Sequence, residues 1–137
     1  MKNLSFFLLV IVCFTSCMDR IDLRKFTIAN NSNGKIYTLI NRLDIEEDTI
    51  NSYGFIGDFT DSLYSNKLKE INRPVDWGTY AKESLNHKFR LYIIEEDSVL
   101  KYGWKGIING NIYNEKYLLD VNFLDSLKWS IIYKGVK

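Results

Sequence analysis

From residue 24 onward, apolar and polar positions alternate in pairs more often than they recur at helical spacing. In RKFTIAN, Phe26 and Ile28 alternate with polar or small neighbours, the two-residue period of a strand with one buried face. KIYTLIN repeats the pattern, with Tyr37 and Leu39 on one face and Ile36, Thr38 and Ile40 on the other. Between them lies NNSNG, whose Asn33-Gly34 pair tolerates positive φ and predicts a hairpin joining the two strands. The stretch from Leu43 to Arg73 is less regular. There INSYGFIGDF can hold a short strand, and LYSNKLKEI a strand or a helical turn. After Pro74, the only proline, VDWGTYAKESL places Trp77, Tyr80-Ala81 and Ser84-Leu85 at helical spacing. Asp76 at its start fits the opening of a short helix.

KFRLYII is the most strand-like run, and apolar residues on both faces after Arg90 predict a central strand covered on both sides. Asp97-Ser98 can then cap a helix through VLKYGWKGII, ended by Asn109-Gly110 in the left-handed manner. A hairpin turn at Asn109-Gly110 is the alternative. EKYLLDV reads as a strand, and Asn122 as the cap of a short helix through FLDSL. KWSIIYK closes the chain as a strand with Trp129, Ile131 and Tyr133 on one face. The sum predicts a mainly β domain, an antiparallel sheet or sandwich with two or three short helices. A layered α+β arrangement is the alternative.

The first residues, MKNLSFFLLVIVCFTSC, follow a different logic. Lys2 is a positive start, Leu4 to Phe14 is almost wholly apolar, and Thr15-Ser16 are small residues before a cysteine. This is the anatomy of an export signal. An apolar helix of about eleven residues reaches only ~16 Å, too short for a ~30 Å hydrocarbon core. Phe14-Thr15-Ser16-Cys17 resembles the lipobox of bacterial lipoproteins, with Phe where Leu is usual. The resemblance implies that residues 1–16 are removed and that Cys17 is lipidated. An ordinary signal cut near Ser16 would instead leave one unpaired thiol in an oxidising compartment. Cys13 leaves with the signal, so no disulfide is available to the mature domain.

Residues 17–23 form a short membrane-proximal segment that reaches roughly 25 Å at most, without a Ser/Gly/Pro-rich tether. Residues 24–137 form a single globular domain of ordinary size. The formal net charge is +1, and it falls to about zero once Lys2 is cleaved. Neither the basic footprint of nucleic-acid binding nor a polybasic membrane patch is present. The membrane is therefore reached through the lipid.

Candidate chemistry is sparse. His87 is the only histidine, no Gly-x-Ser-x-Gly elbow accompanies it, and no Gly-rich phosphate loop occurs. With Cys17 committed to lipid, the Cys and His ligands of a zinc site are lacking. IEEDTINSYGFIG from Ile45 and IEEDSVLKYGWKG from Ile94 share seven of thirteen positions. Converging carboxylates could hold calcium, but adjacent acids on an extended segment point in alternate directions. Each copy instead ends an apolar run with charge and offers Asp before Thr or Ser, one turn chemistry used twice. Neither catalytic residue, metal nor cofactor is expected. Most aromatics are core by their alternation; Trp77 and Trp104 sit on less regular segments and are the candidates for ligand stacking.

LYIIEEDSV, the pair Tyr102 and Trp104, EKYLLDVNFLDSLKW and the terminal WSIIY, together with IANNSNGKIYTLI, resemble a family of small uncharacterised lipoproteins from gram-negative gut bacteria. The chain departs from that pattern at its end, where Lys134-Gly135-Val136-Lys137 stands in place of prolines. The resemblance implies an extracytoplasmic, lipid-anchored domain with no known activity. It also implies O-glycosylation at Asp-(Ser/Thr)-apolar sequences, of which four occur, at Thr49, Ser62, Ser98 and Ser126. The same sequences serve as caps and turns. The expectation is a cell-envelope lipoprotein, outer-membrane-directed from Met18 after Cys17, on either the periplasmic or the surface face. It would bind an envelope protein or a glycan without catalysis. A small carboxylate-dependent hydrolase and an immunity- or inhibitor-type lipoprotein are the alternatives.

Overall fold

The computed structural model describes residues 24–45, 60–71 and 76–135. Among them are seven strands: β1 (Phe26–Asn30), β2 (Ile36–Asn41), β3 (Thr60–Leu63), β4 (Lys67–Ile71), β5 (Phe89–Glu95), β6 (Glu115–Leu119) and β7 (Ser130–Tyr133). Three helices join them: α1 (Trp77–Lys82), α2 (Glu96–Asn109) and α3 (Val121–Ser126). The strands form two sheets, β3-β2-β5-β6 and β4-β1-β7. All pairs are antiparallel except β1 with β7. The fold is mainly β, as the alternation predicts.

The period-two pattern sorts each strand into an inner and an outer face. Phe26, Ile28, Ile71, Ile131 and Tyr133 of the three-stranded sheet face Ile36, Ile40, Phe89, Leu91, Ile93 and Leu119 of the four-stranded one. Trp77 of α1 and Leu124 of α3 join this core. On the outer side of the four-stranded sheet a second cluster unites Leu39, Tyr92, Ile45 and Ile108 of α2. Hence β5 is buried from Phe89 through Ile94, the doubly covered central strand its sequence requires. Each such side chain stabilises the fold by roughly 1.5–3 kcal/mol.

The predicted Asn33-Gly34 hairpin does not form. β1 pairs with β4 and β7, while β2 pairs with β3 and β5, so NNSNG carries the chain from one sheet to the other. The connection after β3 does the same, since β3 lies beside β2 and β4 beside β1. One buried residue holds both corners. The Asn30 amide donates to the Gly34 carbonyl at 2.8 Å and to the Leu63 carbonyl at 3.0 Å. Its Oδ1 accepts from the Ser32 amide and hydroxyl. A side chain that satisfies two crossing backbones removes the need for a tight two-residue turn.

The helix ends also depart from expectation. Asp76 is the N-cap of α1, accepting from Thr79 N–H at 2.9 Å. α2 is not capped by Asp97 or Ser98; it begins at Glu96, directly off β5, and the Glu96 amide donates to the Lys35 carbonyl at 3.0 Å. The adjacent strand supplies what a cap would. At the other end Gly110 stays right-handed, and Asn111 takes the left-handed position with φ 50. Asn111 N–H donates to the Ile108 carbonyl and Ile112 N–H to that of Ile107, a Schellman ending one residue later than predicted. Asp120, not Asn122, caps α3, accepting from Phe123 N–H at 2.8 Å.

Candidate functional site

Where β1, β5 and β7 end together, three segments enclose a cavity of about 270 Å³. Ser32–Lys35 come from the corner after β1, Glu95–Asp97 from the β5–α2 junction, and Lys134-Gly135 from the chain after β7. The Asn30 network fixes the first wall. Gly135, at φ 85, is what lets the third wall close in, because a Cβ there would sit 3.3 Å from Ser32 Cβ.

Polar groups of both signs line the opening. The Lys35 ammonium donates to Tyr37 Oη at 2.8 Å and Glu96 Oε1 at 3.0 Å. Those two hydrogen bonds push its pKa up, so it stays charged throughout the neutral range. Buried Tyr133 donates its hydroxyl to Glu95 Oε1 at 2.7 Å. Burial foremost, then this bond to a carboxylate, raises the Tyr133 pKa, so the phenol remains a donor. Asp97 and Lys134 are exposed at the rim.

Two aromatic rings stand beyond the cavity lining, linked to it through Lys35 and Glu96. Tyr37 meets Trp104 edge to face, with ring centroids 5.2 Å apart and planes at 83°. Trp104 is half-buried and sits just after Gly103, whose φ of 65 and ψ of 165 break α2. An L-residue is strained at such a φ, so the glycine permits the break that sets the indole beside Tyr37. The Lys35 ammonium lies 5.5 Å from the centroid of the Tyr64 ring, and that ring is exposed. Charge, hydroxyl and aromatic face thus follow one another from Ser32 to Trp104.

A second polar group lies near the other end of β5, and it is closed. Arg90, 3 % exposed, reaches both oxygens of Asp44, from Nε at 3.2 Å and Nη2 at 3.1 Å. Its Nη1 donates to the carbonyls of Leu85 at 2.7 Å, Arg42 at 3.3 Å and Lys88. Tyr92 Oη donates to Asp44 at 3.1 Å, and Lys116 pairs with the same carboxylate. Burial alone would raise the Asp44 pKa, but the bonds from Arg90, Lys116 and Tyr92 outweigh it and hold it at about 2. This cluster pins residues 42–45 to the sheet.

Of the candidate stacking residues, only Trp104 is placed to serve. Trp77 is buried, stacked on Phe89 at 5.2 Å and edge-on to Phe26 at 5.3 Å, which corrects its reading as a ligand platform. Its irregular sequence context hid a core contact. Ser62 and Ser126 are exposed and Ser98 is half-buried in the first turn of α2. Thr49, Cys17, residues 1–16 and all but Ile45 of the first acidic repeat lie outside the described residues. The second repeat is a strand end running into a helix, where Glu95 accepts from Tyr133, Glu96 from Lys35, and Asp97 is exposed. Exposed His87 sits before β5, its Nδ1 2.9 Å from the Lys82 carbonyl, at the far end of the strand from the cavity. Among the described residues no group of three or more His, Cys, Asp or Glu could hold a metal, and no helix is long and apolar enough to cross a membrane. The sequence reading missed Ser32, Lys35, Tyr37 and Lys134; its one usable signal was the two Gly-containing corners, NNSNG and KG.

Against protein-family models, curated proteins and solved structures, the chain matches none.

Proposed function

We propose that this is a lipid-anchored cell-envelope protein of the small gram-negative lipoprotein type, held through Cys17 at the outer membrane. It works by binding, and the cavity beside Trp104 takes a neutral glycan. The observation that carries the ligand class is the pairing of Trp104 with Tyr37, whose hydroxyl bonds Lys35 and Glu96 of a cavity of mixed donors and acceptors. Sugar rings present an apolar C–H face to an aromatic and a rim of hydroxyls that need both donors and acceptors. Carboxylates at Glu95, Glu96 and Asp97 accept from hydroxyls, while Lys134 donates. A strongly acidic or basic ligand would meet charge of its own sign on one wall.

The position of the cavity agrees with an anchor. β1 begins two residues after Arg24 and the cavity lies where β1 ends, so the anchor's attachment and the cavity lie at opposite ends of that strand. Exposed Ser62 and Ser126 are the sites where O-glycosylation would meet least hindrance; an intact mass equal to the acylated polypeptide alone would remove that modification.

Titration with neutral oligosaccharides, followed calorimetrically and by indole fluorescence, tests the binding. Buried Trp77 and Trp129 serve as the unresponsive background. Binding that disappears in Trp104→Ala supports the reading; a Trp104→Ala variant that binds as well as the parent removes the site. The anchor is tested separately, by fatty-acid labelling of the parent and of Cys17→Ala. Membrane retention of unlabelled Cys17→Ala would remove the lipoprotein assignment.

A further inference from the structure

The two sheets are covered differently. α2 packs on the outer side of the four-stranded sheet, whereas the described outer residues of β4-β1-β7 join neither buried cluster. Pairing sets Leu68 and Ile132 on either side of Ala29. This row of three crosses the whole sheet, with Leu68 64 % and Ile132 53 % exposed. Thr27, Glu70 and Ser130 form the next row. Lys67 pairs with buried Asn30 and so belongs to the opposite face, while Lys25 reaches Glu70 at 2.9 Å.

The chain outside the described domain says what lies near this face. Arg24, over the Trp129 ring at 4.3 Å, is only two residues before the central strand of this sheet. From Cys17 to Arg24 the seven intervening bonds reach roughly 25 Å when fully extended. The tether thus joins the start of the central strand of the three-stranded sheet, and whatever holds Cys17 lies within that reach of it. We propose that the outer face of β4-β1-β7 lies on the bilayer that holds the lipid, with Leu68 and Ile132 in the interfacial region. This rests on the lipid-anchored reading of Cys17. Two apolar side chains are too few to hold a free domain on a membrane, but they suffice to orient one that is already tethered. The layer order then turns α2 and Trp104 away from the lipid and leaves the cavity opening to the side.

The test uses the full acylated protein in vesicles of phosphatidylethanolamine and phosphatidylglycerol. Thioether-linked Cys17 and the departed Cys13 leave no competing thiol, so an environment-sensitive dye goes to Leu68→Cys, Ile132→Cys or, on the opposite layer, Leu100→Cys. The expected result is blue-shifted emission at 68 and 132, quenched several-fold more by nitroxide-labelled lipid than at 100. Water-like emission at 68 and 132 in protein that floats with the vesicles would overturn the orientation and leave the anchor standing. Blue shift without nitroxide quenching would mean that a second copy covers the face, and would also overturn it. Greater quenching at 100 would make α2 the lipid-facing layer. Mature protein without lipid on Cys17, found free in solution, would instead remove the anchor reading and this inference with it.

Discussion

The molecule contains the same trio of side chains twice, a lysine, a tyrosine and a carboxylate, toward opposite ends of β5. At one end Lys116 and Tyr92 meet Asp44; at the other Lys35 and Tyr37 meet Glu96. The difference is Arg90. In the first trio a buried guanidinium grips the carboxylate with two bonds and spends Nη1 on backbone carbonyls, so the group is sealed into the fold. The second has no such clamp and borders an open cavity. Identical chemistry becomes architecture where a buried guanidinium crosslinks it to the backbone, and remains available to a ligand where none does.

The largest effect should come from breaking the clamp. Arg90→Ala leaves Asp44 and several carbonyls without their donor, and should cost about 3–5 kcal/mol, read as a lower urea midpoint. A loss below about 1 kcal/mol would mean that the cluster relaxes onto water and that the two trios are alike.

Next is the support of the cavity's first wall. Asn30 is fully buried and joins both sheet-switching corners, so Asn30→Ala should cost about 2–3 kcal/mol. Unchanged stability would show that the corners hold without it.

Acid separates the trios without mutation. Asp44 has a folded-state pKa of about 2 against an ordinary 3.8. A depressed carboxyl contributes stability that is complete above its unfolded value and is lost as pH falls through the folded one. Stability should therefore decline between pH 4 and 2, by about 1–2 kcal/mol after allowance for partial exposure. Asp44→Asn should be less stable at neutral pH and should show a shallower decline over that window in urea titrations at stepped pH. An equally steep decline in the variant would assign the acid sensitivity elsewhere.

The smallest structural effects belong to the open trio. Trp104→Ala removes one edge-to-face pair, about 0.5–1.5 kcal/mol, yet should abolish glycan binding. Lys35→Met and Glu96→Gln should leave the urea midpoint in place while weakening binding. A midpoint shift as large as that of Arg90→Ala would make this trio structural too.

Several elements were legible in the residues themselves. Alternation placed β1, β2, β5 and β7 and told their faces apart, because a period of two is a property of each strand alone. The doubly apolar KFRLYII announced a covered strand for the same reason. LYSNKLKEI was ambiguous, since a run of polar residues with few apolar ones fits an edge strand as well as a turn. The site was almost illegible. Lys35, Glu96 and Lys134 are far apart in the chain and share no motif; only the meeting of three segment ends makes them neighbours.

The sequence by itself determined which residues turn inward along each strand, where Asp76 starts a helix, and that the described core must stand without disulfides. Only the tertiary structure decided which strands pair. Asn33-Gly34 permits a hairpin, but buried Asn30 binds two crossing backbones and sends β2 to another sheet, and β7 closes parallel to β1 across the length of the domain. Faces follow from local geometry, whereas partners follow from which buried polar groups and apolar surfaces can be satisfied together. That is why Trp77 became core and Trp104 did not.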